Sequence, residues 1–174
     1  METKTYTISI YTENNLGLLN RISTLFVKRH INIESLTVSY SEIENVSRFV
    51  IVVNMTEVAV KKIIGQIEKQ IEVIKAFYHT DDELIFTQTA MFKFRSDLLF
   101  DEPQIQNIIK ENNLNIVTVN KTFFVVEKAG RQNEIDALYE KFKPFGIAQF
   151  VRSGKIAVSK EAMNIRQILN DFNK

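Results

Sequence analysis

The chain has 174 residues, enough for one or two small domains, and 45% of them are hydrophobic and 25% charged, as in ordinary globular proteins. Its formal net charge of +1 excludes the strong basic field typical of proteins that bind nucleic acid or anionic membranes, and the lack of cysteine excludes disulfides and thiolate chemistry. The longest wholly apolar run, residues 49–53, is too short to span a membrane, and no signal-peptide pattern opens the chain, so we expect a soluble cytoplasmic protein.

The first half of the chain carries six predicted elements. Apolar residues alternate with polar ones where strands are predicted, and they recur at intervals of three and four where helices are predicted. In chain order, we predict a strand over Tyr6–Ile10, a helix from about Leu16, a strand within 31–40, a turn over Ser41–Asn45, a strand within 47–54, a helix marked by Val60, Ile63, Ile64, Ile67 and Ile71, and a strand within 72–79. This β-α-β-β-α-β order is typical of the ferredoxin-like sandwich, an α+β fold.

The second half repeats this order after the polar, acidic segment HTDDEL at residues 79–84. The predicted elements are a strand marked by Ala90, Phe92 and Phe94, a helix that begins within 101–103, two strands within 114–128 joined at Asn120–Lys121, a helix marked by Ile135, Leu138, Tyr139 and Phe142, and two short strands within 146–160. We therefore expect two ferredoxin-like βαββαβ domains at residues 1–80 and 88–160, with a linker at 81–87 and a helical tail at 161–174.

The tail has apolar residues at helical spacing, namely Ile165, Ile168, Leu169 and Phe172. A helix of about two turns is not stable alone in water, so this segment must pack on something. We expect it to pack on the second domain, and the alternatives are a partner protein or the same tail of a second copy of the chain.

Motifs for catalysis, metal binding and nucleic-acid recognition are missing from the sequence. No glycines are spaced as in a dinucleotide- or phosphate-binding loop, and there is no G-x-S-x-G elbow. His30 and His79 are almost fifty residues apart and make a poor metal site without cysteine. The segment Thr80–Glu83 is better explained by a solvated linker than by paired catalytic carboxylates. The strands SRFVIVVN and NKTFFVVE lack the aromatic pattern of an RNA-binding sheet, so we expect neither an enzyme nor a nucleic-acid-binding protein.

The stretch ENNLGLLNRISTLF, residues 13–26, places a glycine where the first strand gives way to the first helix. Gly17 can simply relax a tight loop. It can also leave the first amides of the helix open to an anionic ligand, because those amides have no partner within the helix and lie at the positive end of its dipole. The residue pattern alone leaves both explanations open.

Several short motifs resemble those of a known family. They are E-N-x-x-G-x-L-x-R at Glu13–Arg21, L-F-x-x-R at Leu25–Arg29, N-I-E-S-L-T-V at Asn32–Val38, S-R-F at Ser47–Phe49 and V-R-S-G at Val151–Gly154. A ferredoxin-like domain with glycine in its first βα loop resembles the ACT domain, a module that senses amino acids. The whole set resembles the small, regulatory subunit of acetolactate synthase (acetohydroxyacid synthase), closely over residues 5–80 and colinearly to about residue 160.

The resemblance implies a division of labour between two kinds of subunit. A separate large subunit would carry thiamine diphosphate, magnesium and FAD and condense pyruvate with a second 2-oxo acid, so no cofactor is expected in this chain. The small subunit would stimulate that catalyst and transmit feedback inhibition by valine or a related branched-chain amino acid. It would form a homodimer through its ACT domain.

The resemblance also implies a valine site, formed by Asn14, Gly17, Leu18, Leu19, Asn32 and Ile33. In the family, the glycine loop and the asparagine that enclose one ligand come from different protomers. The amides around Gly17 can bind the ligand carboxylate, and the Asn32 side-chain oxygen or a neighbouring carbonyl can accept from its ammonium. The leucines and Ile33, together with Leu36, can form a small apolar wall.

Each of these residues also has a purely structural explanation. Asn14 is a suitable N-cap for the first helix, Asn32 can satisfy a turn, and the apolar residues can belong to the core. The chain also departs from the family at His30, where the family usually has glycine at a helix-ending position that favours left-handed backbone. It departs again in LIFTQTAMFKF, which lacks the Arg-Glu pair common in the family.

Two other functions stay open at this point. A free-standing ACT-domain sensor that acts on another target, such as a transcriptional regulator, would share the ligand site but need no large subunit. An enzyme in its own right would need a nucleophile or cofactor loop that the motifs do not supply.

Overall fold

The computed structural model describes the backbone of residues 2–172 and the side chains of residues 2–169. Contacts divide the chain into two units. The first unit comprises the chain through Phe86 together with the chain from Lys155 onward, and the second comprises Thr87–Gly154.

The first unit contains the predicted ferredoxin-like sandwich. Its first elements are β1 (Lys4–Glu13), α1 (Leu18–Val27), β2 (Ile33–Tyr40), β3 (Val46–Met55), α2 (Glu57–Ile67) and β4 (Val73–Thr80). The strands form one sheet in the order β2-β3-β1-β4, in which each neighbouring pair is antiparallel and β2 lies at an edge.

The core of this unit lies between one face of the sheet and the two helices. Alternate residues of β1, such as Ile8 and Ile10, point to this face, because successive side chains of a strand point to opposite sides. Both helices bury apolar side chains against it, with Ile22 and Phe26 from α1 and Ile63 among those from α2. Both halves of the βαββαβ pattern are therefore joined by one apolar layer. The predicted stripe of α2 is wrong at its last residue, because α2 ends at Ile67 and Ile71 is 96% exposed.

The second unit repeats the pattern, which confirms the predicted α+β architecture. Its elements are β5 (Leu84–Arg95), α3 (Asp97–Asp101), α4 (Pro103–Glu111), β6 (Asn115–Val119), β7 (Phe123–Gly130), α5 (Gln132–Phe142) and β8 (Gln149–Arg152). The strand order is β6-β7-β5-β8. Phe94 stacks on Phe124 with 5.2 Å between ring centroids and contacts Phe142 at 4.8 Å, so aromatic rings fill this core.

The region predicted as a linker, 81–87, is ordered secondary structure for the most part. Asp81–Glu83 form a short 3-10 helix, and β5 begins directly after it at Leu84. The Glu83 carboxylate accepts hydrogen bonds from the Thr80 N–H at 2.6 Å and the Thr80 hydroxyl at 2.8 Å. The acidic composition of this segment is typical of a loop, but local hydrogen bonds fold it into a tight turn between β4 and β5.

The last described elements are β9 (Ile156–Ser159), which pairs with β5, and α6 (Ile165–Phe172), and contacts group both with the first unit. This differs from the expectation that residues 88–160 form one domain and that the tail packs on it. Leu169 is buried and Ile165 half-buried against Tyr11, Val46 and Phe77 of the first unit. The Phe172 side chain, the last of the predicted stripe, lies outside the described side chains.

The tail packs on the first unit because the second face of the first sheet carries aromatic side chains that need to be covered. We call it the outer face, formed by Thr7, Ser9, Tyr11, Arg48, Phe77 and His79 on the side away from α1 and α2. Tyr11 and Phe77 place two aromatic rings on this face, 6.2 Å apart. The chain from Lys155 onward supplies apolar side chains that cover them, so the outer face is buried within its own unit.

No helix within residues 2–172 is both long and apolar enough to cross a membrane.

Candidate functional site

The loop between β1 and α1 turns at Gly17. Gly17 is the N-cap of α1 and has a φ of +81°, a left-handed value that glycine adopts more readily than residues with a Cβ. A Cβ added there would meet no atom within 4 Å. The backbone conformation therefore favours glycine, and the space in front of it is open.

The first turn of α1 presents amides without a side-chain cap. No side chain in the described part of the chain accepts a hydrogen bond as its cap, and the first turn contains no acidic residue. The Arg21 N–H donates to the Gly17 carbonyl at 3.2 Å, so the helical pattern starts there and the preceding amides have no intrahelical partner. This arrangement suits a carboxylate.

The two leucines after Gly17 differ in exposure. Leu18 is 2% exposed and belongs to the core, so only its backbone can contact a ligand. Leu19 is 46% exposed beside the open loop and can contribute an apolar surface. The Arg21 guanidinium, four residues after Gly17, already pairs with the Glu72 carboxylate. Its hydrogen bond lowers the pKa of that carboxyl.

Asn14 does not cap α1. Its backbone N–H donates to the Asn45 carbonyl at 3.1 Å, and its side-chain oxygen accepts from the Ser47 hydroxyl at 3.3 Å. The capping explanation considered for this residue is wrong, because Gly17 occupies the N-cap position. Asn14 instead ties the start of the loop to the β2–β3 hairpin.

Asn32 and Ile33 lie together where β2 begins. The Asn32 side-chain N–H donates to the Glu34 carboxylate at 3.0 Å, and the residue is exposed. Ile33 is half-buried against the edge of the core. His30, two residues before this pair in the loop from α1, has a φ of +54°, so histidine occupies a left-handed position here.

The strand register separates the predicted residues into two groups. Ile33 pairs with Val53, and Val53 pairs with Tyr6 near the start of β1, whereas the glycine loop follows Glu13 at the end of β1. Seven residues of strand between Tyr6 and Glu13 correspond to about 23 Å at the usual rise of a β-strand. One chain therefore brings Asn14, Gly17, Leu18 and Leu19 together and Asn32 and Ile33 together, but not the two groups.

The edge strand β2 also carries exposed apolar side chains. Leu36 and Val38 are 37% and 45% exposed, and they pair with the core residues Ile51 and Phe49. They therefore lie on the same face of the sheet as α1 and α2, beyond the area that the helices cover. Tyr40, at the end of the strand, is 79% exposed.

Sequence reasoning missed two cations on the outer face. Arg48 donates from Nη2 to the Ala157 carbonyl at 2.8 Å and to the Ser9 hydroxyl at 3.3 Å. Lys155 is buried, and its Nζ lies 2.6 Å from an Asp81 carboxylate oxygen and 4.2 Å from the centroid of the Phe86 ring. Arg48 is the one charged residue of β3, and this was the signal that could have indicated it.

Family models match most of the chain. Residues 8–75 match a model described as the AHAS small subunit-like ACT domain, and residues 87–161 match one described as the small subunit of acetolactate synthase. The two matched segments correspond to the two sheets described above, and the boundary between the segments lies near the start of β5.

Curated relatives match the chain over nearly its whole length. The acetolactate synthase small subunit of Bacillus subtilis is 36% identical over 154 residues, which covers 88% of this chain and 89% of that protein. The acetolactate synthase small subunit of Mycobacterium bovis is 31% identical over 160 residues, 92% of this chain and 95% of that protein.

A solved structure shares the fold. The small subunit of acetolactate synthase from Thermotoga maritima superimposes with a TM-score of 0.82 at 23% identity, covering 92% of this chain and 99% of that one. Together with the relatives and the two family models, this leads to one assignment: the chain belongs to the acetolactate synthase small subunit family.

Proposed function

We propose that this chain stimulates a separate catalytic large subunit and transmits feedback inhibition by valine or a related branched-chain amino acid. The observation that carries the ligand site is the open N-terminus of α1, where left-handed Gly17 leaves uncapped amides with free space in front of them. Thiamine diphosphate, magnesium and FAD would be held by the large subunit, and this chain would take no part in the chemistry.

The two groups of site residues fit the two ends of an amino acid. The amides of α1 suit the carboxylate, because their dipoles and the lack of an acidic residue in the first turn favour negative charge. The Asn32 side-chain N–H is bonded to Glu34, which leaves the amide oxygen to accept from the ammonium. Leu19, Ile33 and Leu36 can contact a branched aliphatic side chain.

A site of this kind needs two chains. The groups lie at opposite ends of β1 in one chain, so a second copy must supply the missing half. Two copies that meet along β2 in antiparallel fashion place the Asn32 end of one beside the glycine-loop end of the other. The exposed Leu36 and Val38 would be buried by such a homodimer, and the unpaired edge of β2 would be covered.

Regulation follows from this sharing. A ligand that contacts both protomers stabilises the dimer by a free energy that grows with the logarithm of its concentration relative to its Kd. Any difference between the valine-free and the valine-bound dimer in how it binds the large subunit then couples valine binding to activity, and the coupling is reciprocal.

The test is reconstitution with the acetolactate synthase large subunit encoded in the same genome. We expect the full chain to co-purify with that subunit, to raise its rate of acetolactate formation, and to make that rate sensitive to valine. A large subunit whose rate is the same with and without this chain would contradict the proposal. Valine binding by the chain alone, with no large subunit recovered, would instead favour a free-standing sensor.

A further inference from the structure

The glycine loop and the first turn of α1, residues 14–20, are held at both ends by one residue of another segment. Glu72 lies in the turn between α2 and β4 of the same unit. Its backbone carbonyl accepts from the Glu13 N–H at 2.9 Å, at the end of β1. Its carboxylate pairs with the guanidinium of Arg21 in α1. Glu72 therefore joins the residue before this segment to the residue after it.

The contact with Arg21 bears directly on the free amides of α1. The Arg21 N–H donates to the Gly17 carbonyl and closes the first helical turn, so the amides of residues 18–20 are those without an intrahelical partner. The Arg21 side chain anchors this turn from its C-terminal side, and the backbone bond of Glu13 anchors the strand from which the loop departs. Two contacts with a single residue thus fix the direction of the amides.

The ion pair is not explained by the stability of the whole unit. The Arg21 side chain is 45% exposed, and ion pairs with so exposed a partner add little to the free energy of unfolding. The Glu72 side chain is only 17% exposed, and its Oε2 atom is buried without a hydrogen-bond partner in the described part of the chain. Burying a carboxylate oxygen in this way costs free energy. A local role at the loop explains the pair better.

We infer that Glu72 is a positioning residue for the amino-acid site. Through Glu13 and Arg21 it holds the amides of α1 in the direction that a ligand carboxylate needs, while its own buried carboxylate contacts no ligand. The inference rests on the proposed function, because it names a residue outside the loop that sets the affinity of that same site.

Charge and position predict different results for the two partners of the ion pair. Glu72→Ala removes an anion near the site, and Arg21→Ala removes a cation. A purely electrostatic role would therefore tighten the binding of the valine carboxylate in Glu72→Ala and weaken it in Arg21→Ala. A loss of positioning weakens binding in both variants. In the double variant the charges balance again, but the contact is still missing.

Calorimetric titration of the full-length chain with valine measures these affinities. We expect Glu72→Ala and Arg21→Ala each to weaken binding by about tenfold, and the double variant to bind no more weakly than either, because all three lose the same contact. Glu68→Ala is the matched control, since Glu68 pairs with Lys75 at 2.8 Å and accepts from the Ala76 N–H instead. It should bind valine as the wild type does. Tighter or unchanged binding in Glu72→Ala, or a double variant that matches the wild type, would overturn the inference.

A measurement without ligand separates this inference from the proposed function. In Glu72→Ala, amide hydrogen exchange at Glu13 and Arg21 should be about tenfold faster than in the wild type, with unchanged rates in α4 of the second unit. If the wild type binds no valine, the proposed site is wrong, and these rates alone test whether Glu72 holds the loop. Unchanged rates at Glu13 and Arg21, or faster exchange throughout the first unit, would overturn the positioning role. If Glu72→Ala does not fold, Arg21→Ala decides by the same measurements.

Discussion

At Gly17 the backbone passes from β1 into α1 with a left-handed φ, and nothing near the residue would obstruct a side chain. These two facts have different consequences for substitution. The left-handed φ disfavours most residues, although asparagine and aspartate tolerate it best. The open space means that the new side chain would project to where the proposed ligand carboxylate lies.

Gly17→Asp and Gly17→Asn form a pair that separates charge from size. The two side chains are nearly isosteric and share the same backbone cost, but only aspartate places a negative charge at the amides of α1. We expect Gly17→Asp to lose valine binding by about tenfold or more beyond Gly17→Asn, which corresponds to roughly 1.4 kcal/mol. Calorimetric titration with valine measures both values.

Stimulation of the large subunit should survive in both Gly17 variants, since the fold is retained. Identical valine affinities for the two variants would contradict a carboxylate site at these amides. A parallel loss of stimulation and valine binding would indicate that Gly17 only relaxes the loop.

A second prediction at the residue scale concerns how the Glu83 carboxyl makes stability depend on pH. The Thr80 N–H and then the Thr80 hydroxyl lower the pKa of Glu83 below its ordinary value of 4.5. The unfolded chain therefore takes up this proton more readily than the folded one as the pH falls. The stabilisation by the Glu83 carboxylate is complete near neutral pH and is lost as the pH falls through 4.5 and then through the lower folded pKa.

Glu83→Gln should remove this contribution. We expect the difference in urea midpoint between wild type and Glu83→Gln to be largest near pH 7 and to shrink as the pH falls through 4.5. Gln104→Ala, at an exposed position of α4, is the control, because neither side chain titrates and its difference in urea midpoint should not follow this course. A gap for Glu83→Gln that widens in acid would refute the assignment.

The site residues were predictable from sequence to the extent that they obey local rules. A positive φ selects glycine, so Gly17 could be found from its place between a strand and a helix. The role of Asn14 could not, because its partner Ser47 comes from another strand. Arg48 was missed for the same reason, since its contact with Ala157 joins residues that are 109 positions apart.

At the scale of elements, regular periodicity made most predictions reliable. The helix α2 repeats buried residues at Val60, Ile63 and Ile67, which is visible in the sequence alone. The short helix α3 was not predicted, because its five residues are too few to show a stripe. The strand β9 has four residues, and nothing in so short a run indicates which unit it joins.

The position of α6 predicts what removal of the tail would do. A chain that ends at Lys160 loses Ile165 and Leu169, and the outer face around Tyr11 and Phe77 becomes exposed to water. We expect the first unit to melt earlier while the second unit keeps its stability. Amide hydrogen exchange, which reports on each unit separately, checks this.

Leu169→Ala is the milder form of the same test. Leu169 is 1% exposed, so the substitution should lower the free energy of unfolding of the first unit by about 2–5 kcal/mol. Ile156→Ala, at a side chain that is 58% exposed, is the control and should change it by less than about 0.5 kcal/mol. Equal effects of the two substitutions would mean that α6 does not pack on the outer face.

For the whole molecule, the separation of the two halves of the proposed valine site gives the decisive prediction. Gly17→Asp and Asn32→Ala should each abolish or strongly weaken valine binding in a dimer of identical chains. When the two variants are mixed and allowed to exchange, each mixed dimer has one site with both wild-type halves and one with neither. About one quarter of the wild-type number of sites should return, because an isologous interface allows statistical mixing.

Titration of the mixed sample with valine counts these sites, and each variant mixed with itself is the control. A site built within a single chain would not be restored by mixing. The absence of any recovery, with exchange demonstrated by differently tagged chains, would therefore contradict a shared site.

The first unit is assembled from both sides of the second unit in the chain, and this has a consequence during synthesis. Domains fold as units as they emerge from the ribosome, in the order in which their residues appear. Thr87–Gly154 is complete once Gly154 has been made, whereas the first unit must wait for Leu169 before the aromatic side of its sheet is covered. The part of the polypeptide that is translated first thus completes its fold last. Until then, Tyr11 and Phe77 form an exposed hydrophobic surface that a chaperone can bind.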